Sequence, residues 1–347
     1  MIKTKLIVAF KTYNKKSMKK LILFILFITI SLVSYNQVIT GTVFDKKTNL
    51  AIDFASIYFN GTFVGTNSDL NGKFKLDISN NASMPLTISA IGYNSVALKL
   101  TDFSIEEPFL VYMTPKVFEL QEVIIGDKSL ARKRRINLFL FKNAFLGSTA
   151  NARNCEIINE KDIRFNYDSD RDTLRAFSSK PIIIDNRSLG YKVTYFLDEF
   201  ELNKQNDSFY FLGSIIFNED LTVDETKKKL YEAKREKAYL GSRMHFFRSL
   251  WENNLDSAGF VIRNEVGKNL GYKDIVFQED SLIKFLKYPE KLYLRYDGRP
   301  YPSYIIFHDE EVYFEKNGYF DPLGIEWEGQ MGNQRIADML PYEYELK

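Results

Sequence analysis

Three stretches of the chain place oxygen- or nitrogen-bearing side chains at spacings that chemistry could use. The first is "GTNSDLNGKF", residues 65–74, where Asn67, Asp69, Asn71 and Gly72 match the first half of a calcium loop. Such a loop needs alternating oxygen ligands, glycine at its sixth place and a bidentate glutamate at its twelfth. Counted from Asn67, Gly72 fits the sixth place, but the twelfth is Ile78, which cannot bind a hard cation. In the second stretch, Asp168, Asp170 and Asp172 alternate, with Thr173 and Ser179 at the corresponding places. Both read as polar turns between strands, because Asp and Asn bond their local backbone and Gly accepts positive φ. No metal site is expected.

The third stretch surrounds the two histidines, His245 and His308. A zinc peptidase of the His-x-x-Glu kind needs a further histidine downstream. Glu311 follows His308, but no histidine comes after it, and "SYIIFHDEEVYFE" reads as a strand. Residues three apart on a strand point to opposite faces, so this pair could not share a metal. His245 could orient Ser242 or Ser249, or meet Cys155 in space, which leaves a hydrolase as the enzyme alternative. A helical histidine between Met244 and Phe246 reads more simply as structural. No Gly-rich phosphate loop is present, so no cofactor is expected.

What remains is a basic and aromatic cluster on one helix: Arg243, His245, Arg248 and Trp251. These types suit recognition of an anionic or sugar-containing component. The competing reading makes Trp251 core and the charges a solvated face. On the binding reading, charge reversal at Arg243 and Arg248 should abolish partner capture and leave the melting temperature within a few degrees.

The elements that position these residues follow from composition and pattern. The chain has 347 residues, 45% hydrophobic and 27% charged, which is ordinary globular usage with room for two domains. A net charge of +2 argues against a nucleic-acid partner for the whole molecule. The lone cysteine, Cys155, excludes an intrachain disulfide.

Residues 1–37 read as a signal-peptide region. "LILFILFITISLV" is an uncharged core of 13 residues behind Lys19 and Lys20, too short to span a bilayer. Met18 is the expected true start, with cleavage between Ser34 and Val38. The protein is therefore expected to be exported, to the periplasm or the outer membrane.

Residues 38–115 read as about seven short strands broken by turns, a small β-sandwich. Asn60-Gly61 marks one hairpin and the 65–74 turn another. The run "GTVFDKKTNLAIDFASIYFNGTFVGTNSDLNGKFKLDI", followed by "LTISAIGY", resembles the carboxypeptidase-regulatory-like domain, a transthyretin-like sandwich. The resemblance implies a non-catalytic appendage. Asp53 stands where the family often has proline. The following "FELQEVIIG" resembles the segment after such domains in TonB-dependent transporters. Too few residues remain for their barrel. An edge strand is the simpler reading, and an accessory role by strand addition to an outer-membrane partner is one alternative function.

Residues 116–135 read as a linker containing the basic run Arg132 to Arg135, and 136–347 as an α+β domain with antiparallel strands and a long basic helix. Ile136, Phe139 and Leu140 give helical spacing, closed by Gly147. Thr222 and Glu225 suggest a capping box for the second helix, with a bend at Gly241-Ser242. Beyond it, Leu240, Met244, Phe247 and Trp251 form a core-facing stripe. "FLGSTANARNCEIIN", "NRSLGYKVTY", "AYLGSRMHFFRSL" and "ADMLPYEY" together resemble a family of Bacteroidota envelope proteins that carry this same sandwich. The fold class expected is α+β overall, and the function a non-enzymatic envelope role in binding, scaffolding or assembly, with an envelope protein or glycan as partner.

Overall fold

Two-residue alternation of apolar and polar side chains builds the N-terminal unit. The computed structural model describes residues 37–79, 81, 83–104, 107–116, 128–218, 222–278 and 283–346. The apolar segment 21–33 and the "QEVII" segment, expected as an edge strand, lie outside the described residues. Seven described strands follow in order: β1 (Val38–Asp45), β2 (Ser56–Phe59), β3 (Gly65–Asn67), β4 (Lys73–Asp77), β5 (Leu86–Ser89), β6 (Val96–Leu98) and β7 (Phe109–Met113). One sheet has the order β4-β1-β7, with β7 parallel to β1, and the other β3-β2-β5-β6. Ile39, Val43, Phe74, Leu76, Phe109 and Val111 from the first meet Ile57, Phe59, Leu86 and Ile88 from the second. Each fully buried side chain of this size stabilises the fold by about 1.5–3 kcal/mol.

The Asn60-Gly61 turn joins β2 to β3 as expected, with Gly61 at φ +79. The 65–74 turn does not join a hairpin. β3 pairs with β2 and β4 with β1, so this turn carries the chain from one sheet to the other. Ser68 explains the crossing: its hydroxyl donates to Ile52 O at 2.8 Å and accepts the Ala55 amide at 2.9 Å. Asp69 Oδ1 accepts the amides of Asn71 and Lys73, and Gly72 sits at φ +73.

α1 (Lys128–Leu146) begins inside the stretch expected as linker. Arg134 donates to the carbonyls of Glu160 and Ile163, at 2.8 and 2.9 Å, which anchors the basic run to the next unit. Phe141 and Phe145 are buried, and Gly147 at φ +99 closes the helix. They pack on an antiparallel sheet of β8 (Cys155–Ile157), β9 (Ile163–Asp168), β10 (Thr173–Ser178), β11 (Ile182–Asn186), β12 (Tyr191–Asn203) and β13 (Phe209–Asn218). β9 and β10 form the expected hairpin, with Asp168 Oδ1 accepting the amides of Asp170 and Arg171. β12 pairs with β11 and then β10 along one side and with β13 along the other, with a bulge between Leu197 and Glu199.

α2 (Glu225–Tyr239) and α3 (Arg243–Trp251) are separated at Gly241, φ +74. The expected Thr222–Glu225 capping box does not form. Asp224 caps α2 instead, accepting the amides of Thr226 and Lys227, because its carboxylate stands directly before the helix. Thr222 Oγ1 accepts the Asp224 amide.

A third unit follows, from β14 (Phe260–Arg263), β15 (Asn269–Leu270), β16 (Val276–Gln278), β17 (Lys284–Leu286), β18 (Leu292–Tyr296), β19 (Ser303–Phe307), β20 (Val312–Phe314) and β21 (Ile325–Glu328). They make two antiparallel sheets, β15-β14-β18-β19-β21 and β16-β17-β20. The described residues of 136–347 thus contain two hydrophobic cores. The helical stripe spans them: Leu240 and Met244 pack into the central core, Phe247 and Trp251 into the C-terminal one. The overall class is α+β, with a sandwich followed by antiparallel sheets and helices. No helix among the described residues is long and apolar enough to cross a membrane.

The three units are bonded to one another. Gly61 N donates to Ile215 O at 2.8 Å, Phe217 N to Thr62 O at 3.1 Å, and Thr62 pairs in parallel with Ile216. The buried Tyr58 hydroxyl joins Ser89 Oγ and Ser214 Oγ, at 2.9 and 2.5 Å. At the C-terminal end, Tyr342 N donates to Gly61 O at 2.9 Å and Phe63 N to Glu343 Oε1 at 2.9 Å.

Candidate functional site

The residues singled out by type do not gather on one surface. Gly241 and Ser242 start α3: positive φ at Gly241 turns the chain, and Ser242 Oγ accepts the His245 amide at 3.1 Å. Arg243 then donates to Gln334 O at 2.9 Å and lines a large cleft. Burial holds its guanidinium below the ordinary arginine range.

His245 faces elsewhere. Its ring lies 4.9 Å from the rings of Tyr239 and Phe260 and 5.6 Å from Tyr296. Nδ1 accepts the Gly241 amide at 3.1 Å, which fixes a neutral imidazole with its proton on Nε2. Burial, and then the Arg248 charge, lower its pKa to about 4. The hydroxyl of Ser242 is engaged by the backbone of His245, not by its ring. Arg248 donates to three carbonyls, Asn317, Tyr342 and Tyr344, at 2.8, 2.9 and 2.6 Å. Trp251 packs edge-on to Phe314, with the Lys284 ammonium 4.6 Å over its ring and bonded to its carbonyl at 2.7 Å.

Burial, and then Asp338, push the Cys155 thiol up to about 12, far from the thiolate form a nucleophile needs. His308 lies just beyond β19, with Nε2 3.4 Å from Glu326, while Glu311 faces Lys287. Among the described residues no three His, Cys, Asp or Glu side chains come together as a metal would require.

The feature with binding geometry is the cleft that Arg243 lines, about 1060 Å³ in volume, where the three units meet. One wall is the β13 strand from Phe209 to Gly213. A second is the turn 335–342, in which Asp338 N donates to Arg335 O at 2.8 Å. The third comprises Phe320, Pro322, Leu323 and Trp327 of the C-terminal unit. Leu323 is 64% exposed at its rim. Ligand sites of this kind are mainly apolar with a few convergent polar groups.

Three lining residues carry buried polar atoms without a partner among the described residues: Trp327 Nε1, Arg335 Nε and Asp338 Oδ2. Asp338 is 9% exposed, and its Oδ1 accepts from Thr149 and Asn151, at 3.1 and 2.8 Å. Burial raises its pKa. Arg335 caps α1 by donating to the carbonyls of Asn143 and Ala144, both at 2.9 Å, and stacks 4.0 Å over Phe209. Sequence reasoning missed these residues. The partners of Asp338 lie nearly 190 positions upstream, so no local spacing marks it. The one available signal is Trp327 ahead of "EGQMGNQ".

Residues 39–125 match the family model of the CarboxypepD_reg-like domain, about a quarter of the chain. None of the curated proteins matches the chain. The match falls on the strands β1 to β7, and it identifies the N-terminal sandwich as a CarboxypepD_reg-like domain.

Proposed function

We propose that the chain is an exported, non-enzymatic binding protein of the cell envelope, and that its ligand site is the cleft between the three units. One observation carries this reading: a mainly apolar cleft of about 1060 Å³ is lined by three residues, Trp327, Arg335 and Asp338, that each hold a buried polar atom with no partner among the described residues. A buried polar group without a partner costs about 1–3 kcal/mol, and a ligand that bonds it recovers that cost. Export rests on the Lys19-Lys20 pair ahead of its 13-residue apolar core. The envelope setting, and membership of a Bacteroidota envelope family, rest on the sequence resemblance. The sandwich serves as a rigid wall and mount for the cleft, contributing Asn60 and Gly61 to its lining.

The test uses the full chain and the variant Leu323→Arg, which places a charge at the exposed rim. Immobilised wild type should retain a component of a bacterial envelope extract, and Leu323→Arg should lose it at an unchanged melting temperature. Equal retention by both removes the cleft from the reading. A gene starting at Met18 should give a shortened product outside the cytoplasm, and full-length cytoplasmic protein would defeat the export step.

A further inference from the structure

We infer that the cleft takes an extended peptide segment of a partner, which adds as a strand to the free edge of β13. This rests on the cleft being the ligand site and names its ligand class.

Among the described strands β13 pairs with β12 alone, and its opposite edge carries the isolated Thr62 bridge at Ile216. In an antiparallel pair, the backbone groups of successive residues point alternately toward the partner and away from it. Two observations set the phase. Asn203 N donates to Ser208 O at 2.8 Å, so even-numbered residues face β12. Ile215 N donates to Asn60 Oδ1 at 2.8 Å, and Ile215 O accepts from Gly61 at 2.8 Å, so odd-numbered residues face away. The bulge lies on β12, which leaves this alternation on β13 intact. The amides and carbonyls of Phe209, Phe211 and Gly213 therefore point off the sheet, along the stretch of β13 that lines the cleft.

The same edge is already used a few residues further on. Thr62 of the sandwich bridges Ile216 in parallel and accepts the Phe217 amide at 3.1 Å. This short segment is a strand addition in place at one end of the edge. An incoming peptide extends the same ladder over residues 209–213, about 17 Å of strand at 3.4 Å per residue. Main-chain bonds supply the affinity in this mode, and pockets for alternate side chains supply the selectivity. Phe320, Leu323 and Trp327 opposite the edge fit apolar side chains at alternate positions.

Random linear dodecapeptides displayed on phage are panned against the full chain, and enriched sequences are synthesised as free peptides. The expected peptides carry apolar residues at alternate positions. They should slow hydrogen exchange at the amides of Phe209, Phe211 and Gly213 by about tenfold or more. Methylating the alternate set of peptide nitrogens that faces β13 should weaken binding by about tenfold or more, because it removes the ladder donors while keeping the side chains, and methylating the other set should be tolerated. Peptides that leave those amides unprotected, or that tolerate methylation of both alternate sets, would overturn the inference. So would enrichment of no peptide. In that event, retention of an envelope component by wild type and its loss in Leu323→Arg would leave the cleft as ligand site and remove only strand addition.

Discussion

Arg248 donates from Nη2 to the carbonyl of Tyr342 at 2.9 Å, and the amide of Tyr342 donates in turn to Gly61 O at 2.9 Å. Two bonds therefore connect helix α3 to the sandwich through the C-terminal segment. The guanidinium reaches Asn317 O and Tyr344 O as well, so one side chain holds three separate backbone positions. From residue type alone Arg248 reads as a partner-facing charge. Its geometry is that of an internal clamp.

Arg248→Ala should destabilise the protein by about 2–4 kcal/mol, because three partly buried carbonyls lose a charged donor together. Arg248→Lys should recover little, since a compact ammonium cannot span three carbonyls as a planar fork does. Urea midpoints of the three proteins measure both statements. The same geometry replaces the expectation that charge reversal at Arg243 and Arg248 leaves the melting temperature unchanged: reversal should lower it strongly. A loss below about 1 kcal/mol in Arg248→Ala would show that water replaces the guanidinium at little cost.

His245 predicts a specific acid sensitivity. Its pKa falls from 6.5 to about 4 in the folded chain, through burial and then the Arg248 charge. The unfolded chain takes up the proton first as pH falls, so this contribution is whole above 6.5 and is lost progressively toward 4. Its full size is about 3 kcal/mol. Glu315 has the opposite sign, because burial raises it from 4.5 to about 6. Its contribution is whole below 4.5 and fades as pH rises through 6, which partly masks the histidine. The comparison is therefore wild type against His245→Gln, between pH 4 and 7. The stability difference should shrink as pH falls, and a difference independent of pH would contradict the neutral, buried imidazole.

Gly241 is held by two separate constraints. Its φ of +74 lies in the left-handed region, and a Cβ there would stand 2.5 Å from the Tyr296 ring. Gly267 has φ +83 but nothing within 4 Å of the added atom. Both substitutions to alanine incur a conformational cost of about 1 kcal/mol. Gly241→Ala should lose about 1–3 kcal/mol more, from displacement of a packed ring. Equal melting temperatures for the two variants would show that Tyr296 moves freely.

The elements were legible in the sequence where a local pattern decides them. Alternation gave β1, β4 and β7, and helical spacing with Gly147 gave α1. The Gly241-Ser242 break was readable because glycine and an N-capping serine each have a local mechanism. Sheet membership was less readable. The 65–74 turn looks like a hairpin because its residues are turn formers, yet β2 and β1, not each other, are the partners of its two strands. The side chains of α3 were readable as a helix face but not as an environment. Arg248 reaches Asn317, Tyr342 and Tyr344, His245 meets Tyr296 and Trp251 meets Phe314, each more than 50 positions away. The cleft itself was not legible, because its walls come from three units.

Asp338 gives the most direct test of the cleft's polar character. Oδ1 is engaged by Thr149 and Asn151, while Oδ2 is buried without a partner. Burial raises the carboxyl pKa above 3.8, so folding disfavours the ionised form. The folded chain therefore holds the proton more firmly, and the carboxyl contributes most below 3.8 and least once pH has risen past the folded value. Asp338→Asn keeps an oxygen acceptor for Thr149 and Asn151 and removes the buried charge. Its stability at pH 8 should equal or exceed that of wild type, and the advantage should disappear at pH 3. Asp338→Ala leaves Thr149 and Asn151 without their acceptor and should lose about 1–3 kcal/mol at both pH values. The amide also supplies a donor where the carboxylate has none, so retention of a ligand that donates to Oδ2 should fall in Asp338→Asn without loss of stability. Denaturation midpoints at the two pH values, with retention measured alongside, separate the cleft role from a structural one. A clear destabilisation of Asp338→Asn at pH 8 would show that the negative charge is needed by the fold.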